Sequence, residues 1–358
     1  MTNRVFHDDH DDRPTAYSTT ITMTDPDWRS IGDFYDRYDG ASVEMAYSGP
    51  KTFLKGEPGD VRTLDDPDVA VLGVPYDGAL SNRPGARYGP DAVRRASGWW
   101  AYLSGYKGGL TNVNTGAAVD FSDLTVVDCG DVPVFPMDRG QTAESIYAHV
   151  AAAAERAFPV TIGGDHYCTY PAFCGFAAGS SSSTVGLVQI DAHSDTVGRS
   201  PKFGEHFHGS STRLVAESPY SNYEHVSQVG IRGYESANFF QFVDETGLTC
   251  YTMRDVRERG IEEVVRAAVD AAAEDTDGVY VTFDIDAVDP GVAPGTGTPE
   301  PGGLSARQAL RVVEILGTRE CVQGVDLMEV SPTYDPTNST QLLGASLLVT
   351  LLERRFAE

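Results

Sequence analysis

Residues 185–195 read VGLVQIDAHSD. The first six are almost wholly apolar and contain no proline. Such a run fits a strand buried on both faces, as in a parallel sheet covered by helices. It passes without a break into Asp191, Ala192, His193, Ser194 and Asp195. In extended chain, residues at i, i+2 and i+4 project to one side. Two carboxylates and an imidazole therefore converge at the C-terminal end of a strand, where parallel α/β sheets build their sites.

On either side of this stretch, short apolar runs alternate with helical patterns. Further strands are expected at Val69–Gly73, Leu124–Asp128, Pro159–Gly163, Val226–Ile231, Leu248–Tyr251, Val279–Asp284 and Val322–Asp326. Helices are expected at Asp91–Ala96, Thr142–Phe158, Ile261–Glu274, Ser305–Leu316 and Gln341–Arg355. Eight strand–helix units suit a closed barrel and an open doubly wound sheet equally. Residues 1–40 are polar and acidic and read as a partly flexible N-terminal arm. Residues 41–358 carry no convincing linker and read as a single catalytic domain. The Ser180–Ser183 run is expected in a surface loop, and Trp99 and Trp100 are expected to anchor the core.

Two more strands end in the same chemistry. Val279–Asp284 runs into Asp284, Ile285 and Asp286, and Pro159–Gly163 into Gly164, Asp165 and His166. Any one cluster could cap a helix or close a turn, as aspartate often does. Three at successive strand ends need a common cause. Like charges about 4 Å apart repel by several kcal/mol at intermediate dielectric, so such a set persists when cations hold it together. Aspartate and histidine without cysteine suit Mn²⁺ or a similar first-row ion. Four carboxylates and two imidazoles exceed one ordinary site and match two metals with shared carboxylates. A water held between two such metals, roughly 3.5–4 Å apart, loses a proton near neutrality.

Composition excludes several classes. The chain has 358 residues, 41% of them hydrophobic, so it can bury a sizeable core. Its net charge of −25 has the wrong sign for nucleic-acid binding. No run reaches the roughly 18 apolar residues a membrane helix needs. The N-terminus, MTNRVFHDDHDDRPT, lacks an apolar signal segment, which places the protein in the cytoplasm. Five cysteines without CxxC spacing argue against a disulfide framework or a cysteine-based zinc site. The lysines are four, Lys51, Lys55, Lys107 and Lys202. An acidic, lysine-poor composition fits adaptation to high salt, where self-repulsion is screened.

With these residues laid out, the chain resembles the ureohydrolase family of arginases and agmatinases over about residues 68–355. Four segments carry the resemblance: GGDH at 163–166, DAHSD at 191–195, FDIDAVDP at 283–290 and DLMEVSPTYD at 326–335. The family's fold, an open, mostly parallel eight-stranded α/β sheet with helices on both faces, is implied and decides against the barrel. The resemblance implies two Mn²⁺ per subunit, or another divalent first-row metal. His166 and Asp195 would ligate one ion, His193 and Asp286 the other, and Asp191 and Asp284 both. Asp195 would also orient the attacking hydroxide. Glu329 matches the acid that holds a substrate guanidinium, whose planar fork presents paired donors to a carboxylate. His208, in F-H-G-S, matches the proton-shuttling histidine, with His206 as its close rival.

Within the family, SNRPGARYGPDAVR at 81–94 and GTGTPEPGGL at 295–304 resemble the agmatinase branch. The implied reaction cleaves a guanidino compound to urea and an amine, with agmatine, a polyamine precursor, the first candidate. Guanidinobutyrate, guanidinopropionate and guanidine remain alternatives. A carboxylate-bearing substrate would call on a basic residue such as Arg83, Arg87, Arg199 or Arg213. Family members are homo-oligomers, and a trimer or hexamer is implied. A non-catalytic homologue acting as a binding or regulatory subunit and a mononuclear deacetylase are the readings of other classes. The first would lack ligands that are all present here, and the second would not need the second set.

Overall fold

The computed structural model describes residues 45–121 and 123–356. Call the strands, in chain order, β1 (Glu57–Pro58), β2 (Val69–Gly73), β3 (Leu110–Thr111), β4 (Ala118–Val119), β5 (Val126–Asp131), β6 (Phe158–Ile162), β7 (Val185–Ile190), β8 (Val226–Ile231), β9 (Thr249–Thr252), β10 (Gly278–Asp284) and β11 (Val322–Met328). Nine of them form one open sheet in the order β1-β5-β2-β6-β11-β10-β7-β8-β9. Every pairing in it is parallel. The other two, β3 and β4, make a small antiparallel hairpin. The open doubly wound alternative is therefore the one adopted.

Eight of the nine strands fall where the apolar runs place them, within three residues. The ninth corrects the expected count. β1 is two residues long, ends in Pro58 and pairs only with β5 at the sheet edge. Proline cannot donate to a ladder, and edges tolerate it.

The apolar strands are explained by cover on both faces. Val69, Val71, Val188 and Ile190 point into one core with the helices Ile261–Ala273, Ala306–Gly317 and Ser339–Phe356. Ala70, Leu72, Val185 and Leu187 point into the other with the helices Arg139–Ala154 and Thr169–Gly179. All eight are fully buried or nearly so, and each valine, leucine and isoleucine among them contributes roughly 1.5–3 kcal/mol.

Two helices differ from expectation. Asp91–Ala96 is only part of a 19-residue helix, Gly89–Lys107. Gly98 does not end it; a Cβ there would stand 3.0 Å from the Ala46 carbonyl, so glycine serves close packing. The Ala-rich helix starts at Arg139, capped by Asp138, whose side chain accepts from the Gln141 N–H. It stops at Ala154 because Phe158 already belongs to β6. Trp99 is half exposed and packs at a tilt against Tyr102, contrary to a core role, whereas Trp100 packs against the core. Ser180–Ser183 does form a loop, between a helix and β7. Among the described residues no helix is long and apolar enough to cross a membrane. The expected arm, residues 1–40, lies outside the described residues.

Candidate active site

Sheet order brings the motifs together. β6, β11, β10 and β7 are consecutive neighbours at the sheet centre. Their C-terminal ends deliver, respectively, His166, Glu329, Asp284 with Asp286, and Asp191 with His193 and Asp195. The GGDH turn depends on its glycines. A Cβ on Gly164 would lie 1.6 Å from the Tyr76 carbonyl oxygen, so only glycine lets this turn pass under the Tyr76 segment. Asp195 and Glu329 both adopt left-handed backbone, with φ of 50° and 62°. Such strain in non-glycine residues persists where surrounding structure over-determines it, typically at functional sites.

His166 is fully buried, and its two ring nitrogens have different surroundings. Nε2 lies 2.9 Å from the Thr282 hydroxyl, which is also 3.1 Å from the Thr169 hydroxyl. Nδ1 stands 3.0 Å from Asp191 Oδ2, 2.9 Å from Asp195 Oδ2 and 3.3 Å from Asp284 Oδ2. Yet it is hydrogen-bonded to none of them. A buried ring nitrogen aimed between three carboxylate oxygens, with the opposite nitrogen against a hydroxyl able to accept its proton, is arranged as a cation ligand. The residues therefore fit a metal.

A second group lies alongside. His193 Nδ1 is 3.1 Å from Asp286 Oδ2 and 3.7 Å from Asp191 Oδ1. Candidate ligand atoms converge in two sets, His166 with Asp191 and Asp284, and Asp191 with His193 and Asp286. Asp191 belongs to both. Its Oδ1 accepts from the His193 N–H (2.7 Å) and its Oδ2 from Gln189 Nε2 (2.6 Å). Gln189 is itself fixed, because its Oε1 accepts from Thr212 and Gln228. Asp284 accepts from the Asp286 N–H (2.8 Å), and Asp286 accepts from Thr298 (3.0 Å) and the Ala192 N–H (3.3 Å).

Electrostatics reinforce the point. Burial first, then the charges of Asp286 and Asp195, lift the Asp191 carboxyl to about 7. Asp284 is raised well above the carboxylate range for like reasons. Burial pulls His193 down, but Asp286, Asp191 and Asp195 outweigh it and carry the ring up to about 10. The cluster without cations thus tends to gather protons, and divalent ions relieve the same repulsion.

The two neighbouring histidines are placed differently. His208 is buried, with Nδ1 3.3 Å from Glu329 Oε1. His206 is exposed and packs on the rings of Tyr167 and Tyr170. Glu329 is fully buried. Its Oε1 also accepts from the His166 N–H (3.1 Å), whereas its Oε2 has no partner. A Cβ on Gly297 would come within 3.3 Å of that Oε2, so the 295–304 loop lies directly against Glu329.

The arginines are mostly committed. Arg87 pairs with buried Asp77, and Arg213 with Glu217 and the carbonyls of Val197 and Glu205. Arg199 is exposed beside Glu205. Arg83 stacks on Tyr334 and donates to the carbonyls of Thr296 and Gly297, which tie its loop to the 295–304 loop. Sequence reasoning missed the groups that support the ligands. Gln189 left a signal, a lone amide inside an apolar strand. Thr282 left none, and Thr298 lay inside the quoted 295–304 segment without being singled out.

The fold and this buried array of imidazoles and carboxylates define a metal-dependent amidinohydrolase. The Arginase family model matches residues 67–353. The chain is 38% identical over 296 residues to "Agmatinase, mitochondrial" of Gallus gallus, covering 80% of each chain. It is 35% identical to "Guanidinopropionase" of Pseudomonas aeruginosa, covering 88% of this chain and 94% of that one. Among solved structures, a proclavaminate amidinohydrolase from Streptomyces clavuligerus superposes with a TM-score of 0.74 at 31% identity, covering 87% of this chain and 99% of that one. The chain belongs to the arginase family of ureohydrolases, on its agmatinase side.

Proposed function

We propose that the enzyme hydrolyses a guanidino compound to urea and an amine, with agmatine, giving putrescine, as its foremost substrate. The observation that carries this reading is Glu329 Oε2. It is a buried carboxylate oxygen without a partner, on the same strand end that closes the metal-ligand cluster. A guanidinium supplies the planar, paired donors that such an oxygen lacks.

His166, Asp191, Asp195 and Asp284 would hold one ion, and His193 and Asp286 with Asp191 the other, with Asp284 reaching toward both. Two Mn²⁺ suit this oxygen and imidazole set. When bound, the pair supplies an activated water near neutrality and offsets the carboxylate charge. Asp195, held by the Ser211 hydroxyl at 3.2 Å, orients the nucleophile. Glu329 fixes the guanidinium carbon in front of it. His208, beside Glu329, returns a proton to the leaving amine.

The choice of agmatine rests on two supports. The segments at 81–94 and 295–304 resemble the agmatinase branch. Arg87 and Arg213 are tied to carboxylates, Arg199 lies out at the surface beside Glu205, and Arg83 is bound to carbonyls, which leaves little for a substrate carboxylate. Relatives of comparable identity are named for agmatine and for a guanidino acid, so identity alone does not choose between them. A cytoplasmic homo-oligomer, with one catalytic domain over 41–358 and an acidic arm over 1–40, completes the proposal.

The test is urea release from agmatine, arginine, guanidinobutyrate, guanidinopropionate and guanidine in one high-salt buffer with Mn²⁺. Agmatine should exceed arginine in kcat/KM by at least about 10-fold, or about 1.4 kcal/mol. If arginine wins, the agmatinase assignment fails. If guanidinobutyrate wins, the chemistry stands and Arg83 becomes the first residue to substitute.

A further inference from the structure

His208 is 7% exposed, yet a residue that gives a proton to the leaving amine must regain one before the next turnover. Both ring nitrogens face protein. Nδ1 faces Glu329 Oε1 at 3.3 Å, inside the site. Nε2 faces Ser81 at two atoms, Oγ at 2.6 Å and the main-chain N at 3.1 Å. Ser81 is exposed, so its hydroxyl bridges the buried ring and solvent.

The placement of Ser81 is built from several contacts. The Ala79 carbonyl accepts from the His208 N–H (3.0 Å), and Asp165 Oδ2 accepts from the Ala79 N–H (2.7 Å). Two residues on, Ser81 meets the ring. The segment Ala79–Ser81 is thus fastened both to the turn that carries His208 and to the aspartate preceding His166. The two Ser81 atoms have different capacities. The main-chain N–H only donates, so it holds Nε2 as an acceptor when the ring is neutral and places that ring's proton on Nδ1, toward Glu329. A hydroxyl both donates and accepts. It can therefore pair with Nε2 in either protonation state of the ring.

We propose that Ser81 is the relay through which His208 exchanges protons with solvent. The proposal rests on the assignment of His208 to proton transfer. In the neutral ring, Nε2 takes the Ser81 O–H proton as Ser81 Oγ takes a proton from water or a buffer acid. One proton moves from solvent to the ring and the hydroxyl is regenerated. The ring, now protonated on both nitrogens, can give its Nδ1 proton to the leaving amine.

The experiment compares manganese-loaded wild type, Ser81→Ala and Ser81→Thr with saturating agmatine, or with whichever guanidino compound the wild type turns over fastest. Ser81→Ala keeps the main-chain N–H on Nε2 and removes only the hydroxyl. The expected result is a loss in kcat of at least about 10-fold with KM within about 3-fold. The solvent deuterium isotope effect on kcat should rise, and added imidazole should restore the rate in a concentration-dependent way. Ser81→Thr should retain the wild-type rate. A Ser81→Ala enzyme with wild-type kcat and isotope effect overturns the relay. So does a loss that imidazole fails to restore while KM rises, since that marks a displaced ring. A His208→Asn enzyme with wild-type turnover overturns the assignment beneath it instead.

Discussion

Thr282→Val removes one hydroxyl behind the metal ligands. The two side chains have nearly the same shape, so no cavity opens at this fully buried position. What disappears is the Oγ1 that receives the His166 ring at 2.9 Å and meets Thr169 at 3.1 Å. The buried Nε2–H is then left without an acceptor, a cost of about 1–3 kcal/mol. The ring also loses the partner that fixes its tautomer with the lone pair on Nδ1. At about 1.4 kcal/mol per decade, that cost corresponds to roughly 5- to 150-fold in affinity, and losses of this support at metal sites typically run 10- to 100-fold. The assay is titration of the chelated protein with Mn²⁺, following bound metal per chain by elemental analysis after gel filtration at graded free-ion concentrations. One of the two ions should weaken by about 10- to 100-fold while the other, on the His193 and Asp286 side, changes little. Two ions bound as tightly as in wild type would refute the role given to the Thr282 hydroxyl and the tautomer inferred from it.

Three further outcomes follow from the same geometry. Removal of the ions should abolish urea release and Mn²⁺ should restore it, and Asp284→Asn should lose most activity because it removes a charge from the His166 group; full turnover by protein shown to be metal-free would end the dinuclear reading. The Mn²⁺-induced gain in Tm should widen between pH 6 and pH 9. Asp191 and His193 both have folded pKa values above their ordinary ones, so the metal-free fold loses stability as pH rises from 3.8 towards about 7 and from 6.5 towards about 10, while the ions take the deprotonated ligands; a constant or shrinking gain in differential scanning fluorimetry contradicts this. With a net charge of −25, Tm should climb as KCl rises from about 0.1 M to about 1 M and the screening length falls from about 10 Å to about 3 Å; a flat or falling Tm removes the high-salt reading and leaves the catalytic one intact.

The parts of this site that were legible in the sequence are those whose signal is local. Asp191, His193 and Asp195 announce themselves because one strand end carries them at alternate positions, and the same holds for Asp284 and Asp286. The supporting groups meet their partners across the fold. Ser81 lies 127 positions from His208, and Thr282 lies 116 from His166. No periodicity encodes such pairings, and a serine or threonine in a loop or strand is ordinary. His206 remained a close rival of His208 for a related reason. Both lie in the same short turn, and only the approach of the Ala79–Ser81 segment and Glu329 separates the buried ring from the exposed one. The helix Gly89–Lys107 runs well past the expected Asp91–Ala96, and Gly98 inside it serves close packing on Ala46, a long-range contact with no local signal.

The position of β11 has a consequence for how the chain acquires activity. It is the final strand in sequence among those described, yet it lies in the middle of the sheet, paired on one side with β6 and on the other with β10. During synthesis, β6 and β10 must wait for their common neighbour, each with an open, unpaired edge of buried-type residues. Until Val322–Met328 slots between them, His166 and Asp284 stand on separate half-sheets, and Glu329 has no place to go. Parallel pairings of such sequence separation form slowly and leave edges exposed to aggregation. Completion of the His166 group is thereby coupled to the closing event of folding, whereas Asp191, His193 and Asp286 come from strands that pair without β11; a chain that stalls before that event holds half a site and an open sheet edge.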